Sequence, residues 1–145
     1  MRLENFKAKD YYRIDQKEGL EVWLVPEDIP NALLFLEKEG VSRSVWFGDE
    51  LYAIFGMVEI RYGVVEVFFM SSKGWEEKKK TICALIKKDL IALTKIFNRV
   101  QMTCLEEETF LRFSHFFGFT KERSLKRYDR FGRTYSMLAI NGGTV

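Results

Sequence analysis

The stretch Val64-Val65-Glu66-Val67-Phe68-Phe69-Met70-Ser71-Ser72-Lys73-Gly74-Trp75-Glu76-Glu77-Lys78-Lys79-Lys80 decides how this chain is read. Its first seven residues are β-branched, aromatic or otherwise apolar on both alternating faces, the pattern of a strand near the centre of a sheet covered on both sides. Glu66 is the exception, a lone carboxylate in that run. Past Gly74 the period changes. Ile82, Leu85, Ile86, Leu90, Leu93 and Phe97 recur at three- and four-residue steps with lysines in the gaps. Trp75 to Phe97 therefore reads as the longest helix, its apolar stripe turned to the sheet.

Upstream of this strand, turn and helix, Val45-Trp46-Phe47, a turn at Gly48-Asp49-Glu50, Leu51 to Ile60 and a turn at Arg61-Tyr62-Gly63 complete three consecutive antiparallel strands. Pro26-Glu27-Asp28 opens an earlier helix, with proline and acids in the first turn. Ile29, Leu33, Leu34 and Leu36 form its apolar side and Gly40 stops it. Leu3 to Ala8 is the first strand, and Asp10 sits in the first turn of a short helix behind it. Downstream, Arg99 to Cys104 alternates as a strand, and Glu106 to Phe117 is a helix closed by Gly118. Phe119 to Tyr128 and Arg133 to Ile140 make a final hairpin around Asp129-Arg130-Phe131-Gly132.

With 145 residues, 47% of them apolar, the chain has material for one packed core, and no linker or repeat divides it, so residues 1–145 read as a single domain. A net charge of +2 gives no global field toward nucleic acid or an anionic membrane. The run Glu76 to Lys80 carries both signs, as a solvated helical face does. No apolar stretch approaches the ~18–20 residues of a membrane span, and the first residues lack a signal-peptide core, so a cytoplasmic location is expected. Cys83 and Cys104 have neither CxxC spacing nor a histidine cluster, so no metal site is expected. Both read as small core hydrophobes.

The order strand, helix, helix, three strands, long helix, strand, helix, strand, strand resembles the GNAT (N-acetyltransferase-like) superfamily over nearly the whole chain. The sharper likeness lies in Glu107 to Phe119, which resembles the family's penultimate helix running into its Gly-Phe, here Gly118-Phe119. Arg127 to Arg133 followed by Tyr135-Ser136-Met137-Leu138 is similar to the terminal hairpin. The resemblance implies an α+β fold with a mixed central sheet of about seven strands, its central strands splayed, flanked by about four helices.

It also implies an acyl-CoA clamp, in which splayed strands free backbone groups for the pantetheine arm and the next helix start receives the diphosphate. On this chain the arm would follow Phe69, Met70 and Ser71, and the diphosphate would meet Lys73, Gly74, Trp75, Lys78 and Lys79. Family members usually carry Arg/Gln-x-x-Gly-x-Gly/Ala in that turn, because glycine lets backbone wrap phosphate closely. Here a single glycine remains, with the bulk of Trp75 and the negative charge of Glu76 and Glu77 beside it. The lysines compensate, or they are plain surface.

The tyrosine that acts as acid in many relatives falls four residues before the Gly of Gly-Phe, at Ser114, which is a weak acid. The adjacent His115 points a helical step away. Glu66 is the base the resemblance favours, Glu59 on the preceding strand is second, and a strand carboxylate paired with a nearby cation is the plainer reading of Glu66. The implied activity is acyl transfer from acetyl-CoA or another acyl-CoA to an amine on a small molecule or a protein, and GNAT-like domains often form homodimers. A narrower likeness gives the alternative. Tyr52-Ala53-Ile54-Phe55-Gly56 and Glu66 to Ser72, with a lysine-rich helix lacking the glycine turn, are similar to GNAT-like proteins of tailed phages and prophages. That likeness implies an inactive scaffold with a structural or binding role, virion-associated and partnered by phage proteins. A regulatory module that binds acyl-CoA without turnover is the third reading.

Overall fold

The computed structural model describes residues 1–16 and 18–141. In chain order its regular elements are β1 (Arg2–Asn5), α1 (Ile29–Glu39), β2 (Val41–Phe47), β3 (Glu50–Arg61), β4 (Val64–Ser71), α2 (Lys79–Ile96), β5 (Arg99–Leu105), α3 (Glu108–Phe116), β6 (Thr120–Leu125) and β7 (Tyr135–Asn141). Short 3-10 turns at Ala8–Arg13, Leu20–Val22, Pro26–Asp28 and Trp75–Lys78 fill the connections, the last two running straight into α1 and α2. The seven strands form a mixed sheet in the order β1-β2-β3-β4-β5-β7-β6. No helix among the described residues is long and apolar enough to cross a membrane.

The chain divides into two compact units, each assembled from two pieces. The first comprises Met1–Val58 and Phe68–Ile86, the second Glu59–Val67 and the chain from Lys87 on. In the first, Leu33 of α1 is fully buried against Phe6, Tyr11, Ile14, Trp46, Leu51 and Ile54, with Ile29, Leu36, Phe68 and Met70 packed around them. Positions 29, 33 and 36 share one helical face because each step turns about 100°. Leu34 lies off that face and is exposed, as is Phe35, which corrects the expectation that Leu34 belongs to the apolar side.

In the second unit, Val65 of β4, Val100 of β5 and Leu138 and Ala139 of β7 are buried, together with Phe117 and Phe119 beside α3. Gly118, at φ +92, makes the left-handed turn that ends α3 and sends Phe119 inward. The edge strand β6 is charged, and its register against β7 slips between Lys121 and Arg123, so Glu122 is an extra residue there. Its carboxylate accepts two bonds from the Arg99 guanidinium of β5, at 2.8 and 2.5 Å.

Three further expectations are revised. β4 is central in the order, but Val65 alone of its residues is buried, while Phe68, Phe69 and Met70 are half-buried, so it is not covered on both faces. The long helix starts as a 3-10 turn over Trp75–Lys78 and becomes α only at Lys79. The closing hairpin is shorter than its apolar pattern predicts. Residues 126–134 are irregular and are organised by the Asp129 carboxylate, which accepts from the Phe131 and Arg133 amides, Arg133 Nε and the Tyr135 hydroxyl.

Candidate functional site

Three residue pairs make up the parallel ladder between β4 and β5: Val64 with Arg99, Val65 with Val100 and Glu66 with Gln101. Among the described residues it goes no further, although β4 continues to Ser71 and β5 to Leu105. β5 is meanwhile paired along its whole length with β7. In the strand order β4 lies between β3 and β5. A ladder at the centre of a sheet rarely stops so short of its strands' ends, because buried backbone groups left unpaired are expensive.

Glu66, half-buried, stands on the last paired rung. Gln101 Nε2 donates to its Oε1 at 3.3 Å, and Gln101 Oε1 accepts from Arg99 Nε at 2.7 Å. Arg99 is in turn gripped by Glu122, so four side chains form a chain ending on Glu66. That bond holds the Glu122 carboxyl below its ordinary range and the Arg99 guanidinium above its own. The plainer reading of Glu66 expected a cation, and the partner found here is the neutral amide of Gln101. The alternation Arg99-x-Gln101 put both side chains on one face of β5, the available sequence signal for this relay. The other carboxylate, Glu59, is exposed and accepts from the Gly63 amide at 3.1 Å, closing the β3–β4 turn.

In the first unit, Phe69, Met70 and Ser71 are half-buried at the end of β4. The turn after them is held by distant parts of the chain. The Ser72 amide donates to the Tyr52 carbonyl at 2.9 Å, the Lys73 amide to the Asp15 carbonyl at 2.8 Å and the Trp75 amide to the Ser72 carbonyl at 3.2 Å. The Glu77 amide reaches the Gly74 carbonyl at 3.2 Å. Gly74 has an ordinary φ of −95°, and a Cβ built on it would meet nothing within 4 Å, so neither backbone strain nor packing within the chain requires glycine. Its backbone faces open space.

The side chains of the turn are likewise engaged. Trp75 packs edge-on against Phe69, with ring centroids 5.5 Å apart, and Lys79 Nζ lies 5.8 Å from the Trp75 ring. Lys78 sits over Phe47 at 5.0 Å, and Lys73 pairs with Asp15 at 3.5 Å where both are well exposed. The Tyr52 hydroxyl donates to Glu77 at 3.4 Å. Burial, with the carboxylates of Glu50 and Glu77, holds that phenol above its ordinary pKa.

Ser114 is buried on the inner face of α3. Its hydroxyl donates to the Phe110 carbonyl one turn back at 2.7 Å, and Cys104 Sγ lies 3.7 Å from the same oxygen. His115 is exposed. Among the described residues no group of His, Cys, Asp and Glu has the makings of a metal site.

No family model matches this chain, and no curated protein sequence does. Solved structures do. The chain resembles an acetyltransferase of the GNAT family from Streptococcus pneumoniae with a TM-score of 0.68 at 14% identity, covering 98% of this chain and 99% of that one. It resembles a Bacillus subtilis acetyltransferase in complex with CoA with a TM-score of 0.69 at 17% identity, covering 97% of each. With Ard1 from Thermoplasma volcanium the TM-score is 0.75 at 11% identity, over 99% and 98%. At such identities the likeness is one of architecture, and this chain has the fold of the GNAT acetyltransferases.

Proposed function

We propose that this chain, acting as one domain over residues 1–145, transfers an acyl group from acetyl-CoA or another acyl-CoA to an amine. The supporting observation is the short ladder itself, which ends at Glu66 and Gln101 before either strand does, as a fold that receives an extended, amide-bearing arm requires. The residues fit such a donor in part. The open backbone at Gly74 suits it, while the amides of Ser72, Lys73 and Trp75 have partners within the chain.

The acyl-CoA supplies a thioester carbonyl. Glu66, one oxygen held by Gln101, takes the proton the amine loses as its nitrogen bonds that carbon and the carbon–sulfur bond breaks. Ser114, whose proton lies on the Phe110 carbonyl, leaves the departing thiolate to take its proton from water. The acceptor class is taken by analogy with solved structures of this fold, among them a spermidine N-acetyltransferase from Vibrio cholerae: an amine on a small molecule or a protein.

Calorimetry with acetyl-CoA and thiol release across an amine panel test this. Binding is expected, and Glu66→Gln is expected to lower turnover on the order of 10²-fold or more with acyl-CoA affinity unchanged. Undiminished turnover in that variant removes Glu66 as base.

The committed amides of the turn favour a second reading, a non-catalytic scaffold that binds a protein partner, including the phage-type role. A protein that binds acetyl-CoA only when folded gains about 2.7 kcal/mol at a hundredfold excess over Kd. No thermal shift and no heat would leave this second reading standing. Binding without turnover would leave a regulatory module.

A further inference from the structure

In the first unit, β1, the Ala8–Arg13 turn and the β2–β3 turn surround a pocket of about 350 Å³, within the size range of small-molecule sites. None of its residues belongs to the acyl-donor positions described above. Arg2, Lys7, Lys9 and Arg13 bring four cations to it, against the carboxylates of Glu4, Asp10 and Asp49.

Two of those three carboxylates are engaged. Glu4 is paired with Arg2 Nε at 2.7 Å. Asp10 is buried and turned inward, accepting from the Lys7 amide at 3.0 Å and the Ser44 hydroxyl at 2.9 Å. Lys7 and Lys9 make no ion pair among the described residues, and neither does Arg13.

The guanidinium groups are held in place. Arg2 and Arg13 both stand 5.3 Å from the centroid of the Trp46 ring, and they donate to consecutive carbonyls, Gly48 at 3.2 Å and Asp49 at 3.4 Å. Both groups line the same pocket, so an anion bound there is attracted by each of them. Because both heads are already fixed by the indole and the turn, little ordering is needed to bind one.

A further observation concerns the indole. Trp46 is 5% exposed, lines the pocket, and its Nε1 is buried with no hydrogen-bond partner among the described residues. Indole N–H is a donor only, and a buried donor without an acceptor is uncommon in a native structure.

We propose that this pocket binds a small polyanion carrying phosphate or carboxylate oxygens, held by Arg13, Lys9, Lys7 and the free donors of Arg2. The site is independent of whatever the chain does with an acyl donor. Trp46 stays covered by its two arginines, so the ligand needs no aromatic group and is recognised by charge and oxygen geometry.

The experiment uses Trp46 as reporter, in the full chain carrying Trp23→Phe and Trp75→Phe. Inorganic pyrophosphate and citrate are titrated separately at constant ionic strength. A saturable change in Trp46 fluorescence is expected with at least one, and the stronger one tells phosphate from carboxylate preference. Adding Lys9→Gln and Arg13→Gln, both at exposed positions, is expected to raise the half-saturation concentration by about tenfold or more with the melting temperature retained. Fluorescence that stays flat with both anions into the millimolar range overturns the proposal, as does saturation unaltered by the two charge removals.

Discussion

Gln101 donates its side-chain amide to Glu66 across the last rung that joins β4 to β5, at 3.3 Å. Which end of that amide faces Glu66 is fixed by Arg99, whose Nε occupies the Gln101 oxygen. The carboxylate nearest the end of the ladder is therefore aligned by a neutral donor, and its second oxygen is left for other company.

Replacing Gln101 with Leu takes a partner from Glu66 and from Arg99 together. The expected loss is about 1 kcal/mol, read from urea denaturation at neutral pH. An unchanged midpoint would mean the relay contributes nothing to the fold.

Asp129 supplies an acid-sensitive element. Burial pushes its carboxyl pKa up, but bonds from the Arg133 amide and guanidinium, the Tyr135 hydroxyl and the Phe131 amide outweigh burial and bring it down to about 2. The unfolded chain binds this proton at about pH 3.9, so the contribution to stability is whole above that pH and disappears as pH falls through about 2. Asp129→Asn is expected to lower the melting temperature at pH 7 and to flatten its decline between about pH 4 and 2. Parallel melting curves for the two proteins across that interval would refute it.

Gly56 stands opposite Ser42 in the β2–β3 ladder. A Cβ there would lie 2.6 Å from Ser42 Cα and 2.6 Å from the Val41 carbonyl oxygen, both main-chain atoms that cannot swing aside. Gly56→Ala should destabilise the protein by about 1–3 kcal/mol in denaturant titration, as overpacked cores do. Tolerance of alanine would show that the two strands can part at this point.

Trp75 rests on Phe69, one of the half-buried positions that an acyl-donor arm would follow. If the indole occupies the donor's path, Trp75→Ala should tighten acetyl-CoA binding several-fold by calorimetry. Weaker binding in the variant would make the ring a wall of the site.

Both cysteines should be sluggish thiols. Burial pushes the pKa of Cys83 up against the pull of Lys79, and that of Cys104 up against the bond with Ser114. Less thiolate at pH 8 means slower attack on an aromatic disulfide reagent, on the order of tenfold below the unfolded chain. Equal rates before and after adding denaturant would contradict this.

Elements with a strong local signature were legible without coordinates. The change of period at Gly74 and the pair Gly118-Phe119 depend on neighbours close in sequence, and strand, helix and C-cap follow from them. What stayed hidden depends on long-range register. That Gln101 faces Glu66 requires knowing that β4 and β5 align those two residues, and nothing local fixes that. The turn after β4 could be read for its missing glycines, but the carbonyls that take its amides come from Asp15 and Tyr52, far along the chain. Ser114 was located correctly on α3, while its bond to the Phe110 carbonyl is a choice of rotamer that sequence does not reveal. The error at Leu34 was angular: it lies about 140° round the helix from Ile29 and about 160° from Leu36, on the far side from the buried face.

The extra residue in β6 has a bearing on how copies of this chain meet. Extending a sheet from one molecule into the next requires a flat, unoccupied rim, and the kink at Glu122, with its acid drawn back toward Arg99 and Lys121 tied to Glu106, removes both qualities. Any pairing of two molecules at that border has to be made by side chains on surfaces, and runaway stacking of strands into fibres is discouraged there from the outset.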